Sequence, residues 1–231
     1  MTLPEQQRIK SFVLRGGRMT DSQHKAWETQ FSRYGLSLGD GSLDWSREFG
    51  AGRQRILEIG FGMGDSLATM ARADTTAAFV GIEVHRPGVG RLLSEIDRLG
   101  LDNLKLYAED AVEVLEQAIS SGSLDRIQIY FPDPWHKKRH HKRRLIQPEF
   151  VSLLSDRLRP GGQLHLATDW QPYAEHMLEV LDANAGLTND AGAGHYSSKP
   201  SWRPETKFER RGQRLGHGVW DLLYTKASRC F

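Results

Sequence analysis

The chain has 231 residues, an apolar content of 39% and a formal net charge of +2, which together are typical of a globular protein and exclude a disordered or fibrous one. Its single cysteine, Cys230, excludes an intramolecular disulfide, a cysteine-rich zinc site and a Cys-x-x-Cys redox pair. No apolar run reaches the ~18 residues of a membrane span, and the N-terminal residues have no apolar signal-peptide core. We therefore expect a cytoplasmic protein that does not contact a membrane.

Strand and helix patterns alternate along most of the chain. Residues 1–48 predict an N-terminal arm with one helix at 21–34, for which Asp21 is a candidate cap. Apolar runs predict strands at 55–59, 78–84, 104–108, 124–131, 163–168 and 219–226. Amphipathic segments between them predict helices at 65–73, 87–99, 111–119, 148–158 and 172–183. Residues 185–217 are rich in Gly, Ser and Pro and are expected to be mostly loop.

This order of elements predicts a doubly wound α/β fold with a mostly parallel sheet. We expect the arm, residues 1–48, to be followed by one domain at residues 49–231. Ligands of such sheets bind at the carboxyl ends of the strands, beside the point where the strand order reverses. The loops that follow the strands should therefore carry the chemistry.

A glycine-rich turn follows the first predicted strand. Glu58 lies near the end of this strand, and the turn contains Gly60, Gly62 and Gly64, which let a ligand approach the backbone. The dinucleotide motif G-x-G-x-x-G requires a glycine where this chain has Asp65. A carboxylate at a helix start also repels a pyrophosphate. S-adenosylmethionine, a cationic cofactor without phosphates, suits these acidic residues better.

Acidic residues also end the next two strands. Glu83 lies 23 residues after Gly60, the spacing of an acid that accepts from ribose hydroxyls. Asp110 is placed either to accept from an adenine amino group or only to cap the next helix. Three consecutive strand ends with acidic residues favour a cofactor that contains adenosine.

A rigid acidic corner follows the fourth strand and leads into a cationic segment. Asp133 lies between Pro132 and Pro134 and is followed by Trp135, and the prolines restrict the backbone. Residues 137–144, the cationic segment, read KKRHHKRR; without its six Lys and Arg the chain has 25 basic and 29 acidic residues. A carboxylate and an aromatic ring beside many cations predict a pocket for one base of a nucleic acid. Guanine suits the carboxylate because its Watson–Crick edge presents two hydrogen-bond donors, N1–H and the exocyclic NH₂. The alternatives are a core position for Trp135 and a solvated loop for the cationic segment.

These motifs resemble the bacterial tRNA (guanine-N7)-methyltransferase family. The resemblance runs from about residue 11 to about residue 224 and rests on FPDPWHKKRHHKRR, LEIGFGMG, ATDWQPYAEHM, TKFERRG and LGHGVWDL. It implies a class I methyltransferase fold with a seven-stranded, Rossmann-like sheet and S-adenosyl-L-methionine as methyl donor. It also implies tRNA as the substrate, methylated on N7 of a guanosine in the variable loop. The histidines lack metal-ligand spacing, so no metal is expected, and nothing in the sequence requires a protein partner.

The resemblance further implies roles for individual residues. With the glycines of the turn, the expected cofactor-binding residues are Glu58, Gly60, Gly62, Gly64, Glu83, Asp110 and Asp133. Asp133 also occupies the family's catalytic position. The expected substrate-binding residues are Lys137, Asp169, Thr206, Lys207, Phe208 and Glu209. The expected RNA contacts are Arg139, His140, His141, Lys142, Arg143 and Arg144.

The chemistry of guanine N7 sets what these residues must do. N7 has a lone pair and no proton, so its methylation requires no general base. We expect Asp133 to orient the base and to stabilise its developing positive charge, with Trp135 or Phe208 stacking on it. Asp65 and the cationic segment disfavour an NAD-dependent oxidoreductase. A small-molecule methyltransferase and a non-catalytic RNA-binding protein with the same fold stay open as alternatives.

Overall fold

The computed structural model describes residues 17–205, 209 and 218–228. The helices in these residues are α1 Asp21–Tyr34, α2 Trp45–Phe49, α3 Asp65–Ala73, α4 Arg86–Leu99, α5 Ala111–Gln117, α6 Pro148–Arg157 and α7 Gln171–Asp182. The strands are β1 Gly35–Leu36, β2 Arg55–Ile59, β3 Ala78–Ile82, β4 Leu104–Tyr107, β5 Leu124–Tyr130, β6 Leu158–Thr168, β7 Leu187–Asn189 and β8 Trp220–Lys226. Short 3-10 helices cover Leu38–Asp40 and Lys138–Arg143.

The described strands form one sheet in the order β1-β4-β3-β2-β5-β6-β8-β7. Neighbours from β1 to β6 pair in parallel, whereas β8 is antiparallel to both β6 and β7. The mostly parallel α/β fold is therefore confirmed. The described sheet has eight strands rather than the expected seven, because the two-residue strand β1 pairs with β4 at one edge.

The strand order reverses at β2, which lies between β3 and β5. The chain continues from β2 through β3 and β4 on one side and then crosses to β5 and β6 on the other. This switch point opens a crevice at the carboxyl ends of β2 and β5. Glu58 is the next-to-last residue of β2, and the Pro-Asp-Pro corner begins two residues after β5.

Alternate strand residues fill two apolar cores on opposite faces of the sheet. In β2, Leu57 belongs to one core and Ile56 to the other, and both are almost completely buried. Such continuous apolar strands are typical of a parallel sheet with helices on both faces. The two layers of helices hold the sheet edge, and with it the strand-end loops, in a fixed arrangement.

The described part of the expected arm, residues 17–48, packs against the rest of the protein. Helix α1 lies on α4, where a Cβ at Gly90 would be only 2.8 Å from the backbone oxygen of Gln23, so a glycine allows the close approach. Thr20, and not Asp21, caps α1, because the Thr20 hydroxyl accepts from the backbone N–H of Gln23 while the Gln23 side chain accepts from that of Thr20. The domain boundary at residue 48 stays a prediction.

Two further elements differ from the sequence-based expectation. Strand β6 begins at Leu158 rather than at residue 163, because Leu158 pairs with Leu124 across an irregularity in the register. Strand β7 lies in the region expected to be loop, and its three residues are too few to produce an alternating pattern. Among the described helices, none has the length and apolar character needed to cross a bilayer.

Candidate active site

Two adjoining cavities open at the switch point of the sheet. The first, the Glu83 cavity, has a volume of about 290 Å³, and its lining includes Glu83, Asp110 and Asp133. The second, the Glu58 cavity, has a volume of about 640 Å³, and its lining includes Glu58, Gly64 and Asp169. Both cavities share Gly60, Gly62, Tyr130 and Phe131. The structure thus brings seven residues predicted from the strand ends and the glycine turn to one crevice, together with Asp169, which only the family resemblance implied.

The glycine turn forms the floor between the two cavities. Gly60, Gly62 and Gly64 have φ angles of 75°, 59° and 78°, a left-handed conformation that favours glycine. A Cβ at Gly60 or Gly62 would meet no atom within 4 Å, so the backbone at these positions faces open space in the crevice. A Cβ at Gly64 would lie 2.8 Å from Leu92, so this glycine lets α4 approach the turn.

Backbone amides fix two of the acidic residues that line the Glu83 cavity, Glu83 and Asp110. One carboxylate oxygen of Glu83 accepts from the N–H of Gly62 at 2.9 Å, and the other accepts from Val84 at 2.8 Å. Asp110 caps α5 by accepting from the N–H of Val112 at 2.9 Å. Each carboxylate also lines the cavity, so the capping role and a ligand-binding role of Asp110 are compatible.

Glu58 is a buried acid, only 3% exposed. Burial raises its pKa to about 8, and the nearby charge of Glu83 adds to this, while a hydrogen bond from Gln128 and the charge of Arg126 oppose it. The amide of Gln128 donates to Glu58 Oε2 at 3.1 Å. Near neutral pH the Glu58 carboxyl is therefore mostly protonated, and a cation bound beside it would favour its ionised form.

The acidic corner around Asp133 has a strained backbone on both sides. Phe131 and Trp135 have φ angles of 51° and 47°, which is unusual for bulky side chains and costs about 1–3 kcal/mol for each residue. Asp133, in the middle of this corner, is exposed and lines the Glu83 cavity. The surrounding structure must hold this strained backbone in place, and with it the Asp133 carboxylate. Strain of this kind is common at functional sites.

The cationic segment folds back onto this corner. Residues Lys138–Arg143 form a 3-10 helix, and the Arg143 guanidinium stacks over Trp135 at 4.2 Å. Trp135 is half-buried, so it is neither a core residue nor an open stacking surface. The exposed members of the segment are Lys137, Lys138, Arg139 and Lys142, whereas His140, His141 and Arg143 are half-buried.

Arg144 has a different role from the one expected. It is only 4% exposed; its Nε donates to the carbonyl oxygen of Pro134 at 3.0 Å and its guanidinium stacks over Tyr173 at 4.8 Å. A buried guanidinium with these contacts is not available to an RNA phosphate. Arg144 therefore leaves the set of expected RNA contacts and instead fastens the acidic corner to α7.

A chain of buried polar side chains runs across the sheet from the Glu58 cavity on β2 to β8. Glu58 binds the Gln128 amide, and the Tyr130 hydroxyl lies 3.1 Å from Gln128 Oε1 and 2.9 Å from His165 Nδ1. His165 Nε2 lies 2.8 Å from Asp221 Oδ1. These side chains lie on β2, β5, β6 and β8, on one face of the sheet. Burial lowers the pKa of His165 although Asp221 opposes this, so the ring is neutral and serves as a structural link.

Arg203 continues this chain to Glu209. Its guanidinium donates to both oxygens of Asp221, each at 2.8 Å, and to both oxygens of Glu209, at 2.7 and 3.0 Å. Glu209 is 3% exposed and is also paired with Lys199. These contacts hold Glu209 within the protein rather than at the crevice. Three neighbouring residues expected to bind substrate lie outside the described residues: Thr206, Lys207 and Phe208.

Two acidic residues at the Glu58 cavity have different surroundings. Asp169 directly follows β6, is exposed and lines the cavity; the spacing of the motifs did not single it out, and only the family resemblance implied it. Asp65 is paired with Arg91 at 2.7 Å, which weakens the argument that its charge repels a pyrophosphate. No group of three or more His, Cys, Asp and Glu side chains that could hold a metal ion occurs in the described part of the chain.

Sequence comparison shows which family the chain belongs to. The model of a family described as "Putative methyltransferase" matches residues 53–222. The tRNA (guanine-N(7)-)-methyltransferase of Alcanivorax borkumensis is 59% identical, over 95% of this chain and 92% of that protein. The enzyme of the same name from Saccharophagus degradans is 53% identical, over 95% of this chain and 96% of that protein. The chain belongs to the tRNA (guanine-N(7)-)-methyltransferase family.

Solved structures with much lower sequence identity share the fold. The 16S rRNA methyltransferase KamB has a TM-score of 0.58 at 16% identity and covers 80% of this chain and 93% of its own. The aminoglycoside resistance methyltransferase NpmB1 has a TM-score of 0.55 at 15% identity, over 83% of this chain and 94% of its own. At these identities the likeness supports the class I methyltransferase fold alone, as the family membership leads one to expect.

Proposed function

We propose that this protein transfers a methyl group from S-adenosyl-L-methionine to N7 of a guanosine in the variable loop of tRNA. The observation that carries the proposal is the placement of Asp133 on the rim of an acid-lined crevice, directly before four exposed cations of the cationic segment. A cofactor site alone would suit a small-molecule enzyme, whereas the adjacent cations suit a polyanionic substrate. The names of the similar proteins agree with this substrate. We place the activity in the cytoplasm.

The acidic residues that line the crevice fit S-adenosyl-L-methionine. Glu83 and Asp110 offer carboxylate acceptors to ribose hydroxyls and to an adenine amino group, and Glu58 offers a buried acid to the cofactor's positive charges. The open space above Gly60 and Gly62 leaves room for the cofactor beside the backbone. When bound, this cofactor supplies an electrophilic methyl group on a sulfonium.

The role that we assign to Asp133 is orientation and charge stabilisation. Guanine presents N1–H and an exocyclic NH₂ side by side, and a carboxylate accepts from both. N7 has no proton to remove, so the protein's contribution lies in positioning the base and in stabilising the positive charge that it gains. We assign Asp169, which faces the Glu58 cavity, to the same base or its ribose.

The cationic segment serves to hold the RNA backbone. Lys137, Lys138, Arg139 and Lys142 are exposed, and such side chains contact phosphates without reading sequence. The target guanosine must leave its stacked position to reach the crevice, at a cost of about a few kcal/mol. Contacts with the backbone on either side of the guanosine offset that cost. Glu209, buried and held by Arg203, is better suited to a structural role than to contacting the guanosine.

A methyl-transfer assay tests the proposal. Purified protein and S-adenosyl-L-methionine are incubated with an unmodified tRNA transcript, and the digested nucleosides are analysed, with Asp133→Asn as the matched control. We expect 7-methylguanosine from the parent and little from the variant. Binding of tRNA without methyl transfer would favour the non-catalytic RNA-binding alternative. Equal methylation of free guanine nucleotides would favour a small-molecule enzyme.

A further inference from the structure

Trp170 is an exposed aromatic residue that directly follows Asp169, which lines the Glu58 cavity. Among the described residues the exposed large apolar side chains are Trp170, at 37%, and Met63, at 42%. Met63 belongs to the glycine turn and lines the Glu58 cavity. Asp169, the residue before Trp170, lines the same cavity. These two exposed large apolar residues therefore lie at the Glu58 cavity or directly next to one of its lining residues.

The local structure does not require a tryptophan at this position. Trp170 is the N-cap of α7, where Ser, Thr, Asp or Asn are preferred, and its side chain makes no capping hydrogen bond. The start of the helix depends on the backbone oxygen of Trp170, which accepts from the N–H of Tyr173 at 2.9 Å and of Ala174 at 3.0 Å. A different side chain would leave these backbone contacts in place, so the start of α7 does not depend on the indole.

The ring of Trp170 also contacts the residue that precedes the cationic segment. Its ring centroid is 4.4 Å from that of His136, with the two rings almost perpendicular. His136 is exposed and directly precedes Lys137, the first cation of the segment. An RNA strand that places a base in the Glu58 cavity and its phosphates on the cationic segment would pass over this ring.

Trp135, the other aromatic side chain near the cations, is less available. The Arg143 guanidinium lies over its ring at 4.2 Å, and the ring of His140 is 5.8 Å away. One face of Trp135 is therefore already covered within the protein. Trp170 has the larger exposed surface of the two.

We infer that Trp170 is a stacking surface for an unpaired base next to the target guanosine. The inference rests on the proposed function, because it requires an RNA strand in the crevice. Stacking suits an indole because every base has a π-face, and it contributes to affinity with little dependence on sequence. The adjacent cations complement the phosphates of the same strand, which favours RNA over an apolar protein surface as the occupant.

Three substitutions of the full-length protein separate stacking from other roles. Trp170→Ala removes the ring, Trp170→Leu keeps an apolar side chain without an aromatic face, and Trp170→Phe keeps a smaller aromatic face. We expect the Ala and Leu variants to raise the Kd and KM for unmodified tRNA by about tenfold, and the Phe variant by less than about threefold. The kcat at saturating tRNA, the affinity for S-adenosyl-L-methionine and the melting temperature should remain those of the parent.

The salt dependence of tRNA binding gives a second readout. Stacking releases no counterions, so Trp170→Leu should weaken binding without changing the slope of affinity against salt, whereas Lys142→Ala should reduce the slope. Parental KM in the Ala and Leu variants, or a Phe variant as weak as Ala, would overturn the inference while leaving the proposed function intact. A parent protein that neither binds nor methylates tRNA would instead refute the proposed function itself.

Discussion

Replacing Glu58 with glutamine should increase stability at alkaline pH and weaken cofactor binding. Glutamine has the same shape as glutamate and can still accept the hydrogen bond that Gln128 donates at 3.1 Å. It cannot ionise, however, so it avoids the cost of a buried charge. The same change removes the carboxylate that we assign to the cofactor's positive charges.

The magnitude follows from the pKa of Glu58. Burial raises this pKa from 4.5 to about 8, and each unit of pKa corresponds to about 1.4 kcal/mol. Because the folded pKa lies above the unfolded one, the folded protein retains a proton that the unfolded chain loses. The stability of the parent should therefore fall by on the order of 4 kcal/mol as the pH rises from 4.5 to 8. Glu58→Gln has no carboxyl to ionise, so its stability should not fall in this way. The variant should therefore be more stable than the parent at pH 8.

Urea unfolding of both proteins without cofactor, at pH 5 and pH 8, measures this difference. Calorimetry at pH 8 then measures the affinity for S-adenosyl-L-methionine, which should be weaker in the variant by about 1–3 kcal/mol because a charged acceptor is lost. In the parent at pH 7, calorimetry in buffers of different ionisation enthalpy should detect proton release on binding. The reasoning fails if parent and variant have the same pH dependence of stability, or if their cofactor affinities are equal.

Three further variants test the corner, the cationic segment and the buried ion pairs. Asp133→Asn should reduce kcat on tRNA by about 100-fold or more, since it removes an electrostatic contact with the positive charge that develops on guanine. Its melting curve should match that of the parent. Near-parental turnover would contradict the role of Asp133. The double variant Lys138→Ala and Lys142→Ala should weaken tRNA binding. It should also lower the slope of log affinity against log salt concentration by about one per lost phosphate contact. A slope equal to that of the parent would mean that both lysines are only solvated surface residues. Arg203→Met should destabilise the protein by about 3–5 kcal/mol because two buried carboxylates lose the guanidinium that binds them both. Acidic pH should partly reverse this loss, because it protonates the carboxylates. Urea unfolding at pH 5 and 7 checks this, and an unchanged midpoint would refute it.

The sequence predicts the crevice well because a parallel sheet brings strand ends together. Glu58, Glu83 and Asp110 each end or follow a strand, and the βα order alone places them at one edge. Asp133 and Asp169 follow the same rule on the other side of the switch point. The rule also applies to Trp170, one residue after Asp169, although the sequence offers no indication that its side chain is exposed.

Burial is the property that the sequence does not reveal. Arg143 and Arg144 are identical neighbours in a cationic segment, yet Arg144 is buried against Tyr173 and Arg143 is half-buried on Trp135. Which of the two faces inward depends on the path of the segment across the acidic corner, a tertiary feature. Likewise, the distance of Arg203 from Asp221 along the chain hides their ion pair, which forms only when β8 joins the sheet.

Methylation of a tRNA with 7-deazaguanosine in the variable loop tests the central claim most directly. This analogue retains N1–H and the exocyclic amine, which Asp133 is proposed to bind, but has carbon in place of N7. The proposed function predicts that the substituted tRNA binds as tightly as the normal transcript and accepts no methyl group at that nucleotide, while the normal transcript acquires 7-methylguanosine there. Equal methylation of both tRNAs, or transfer to another atom or nucleotide, would contradict the assignment of N7 as the acceptor.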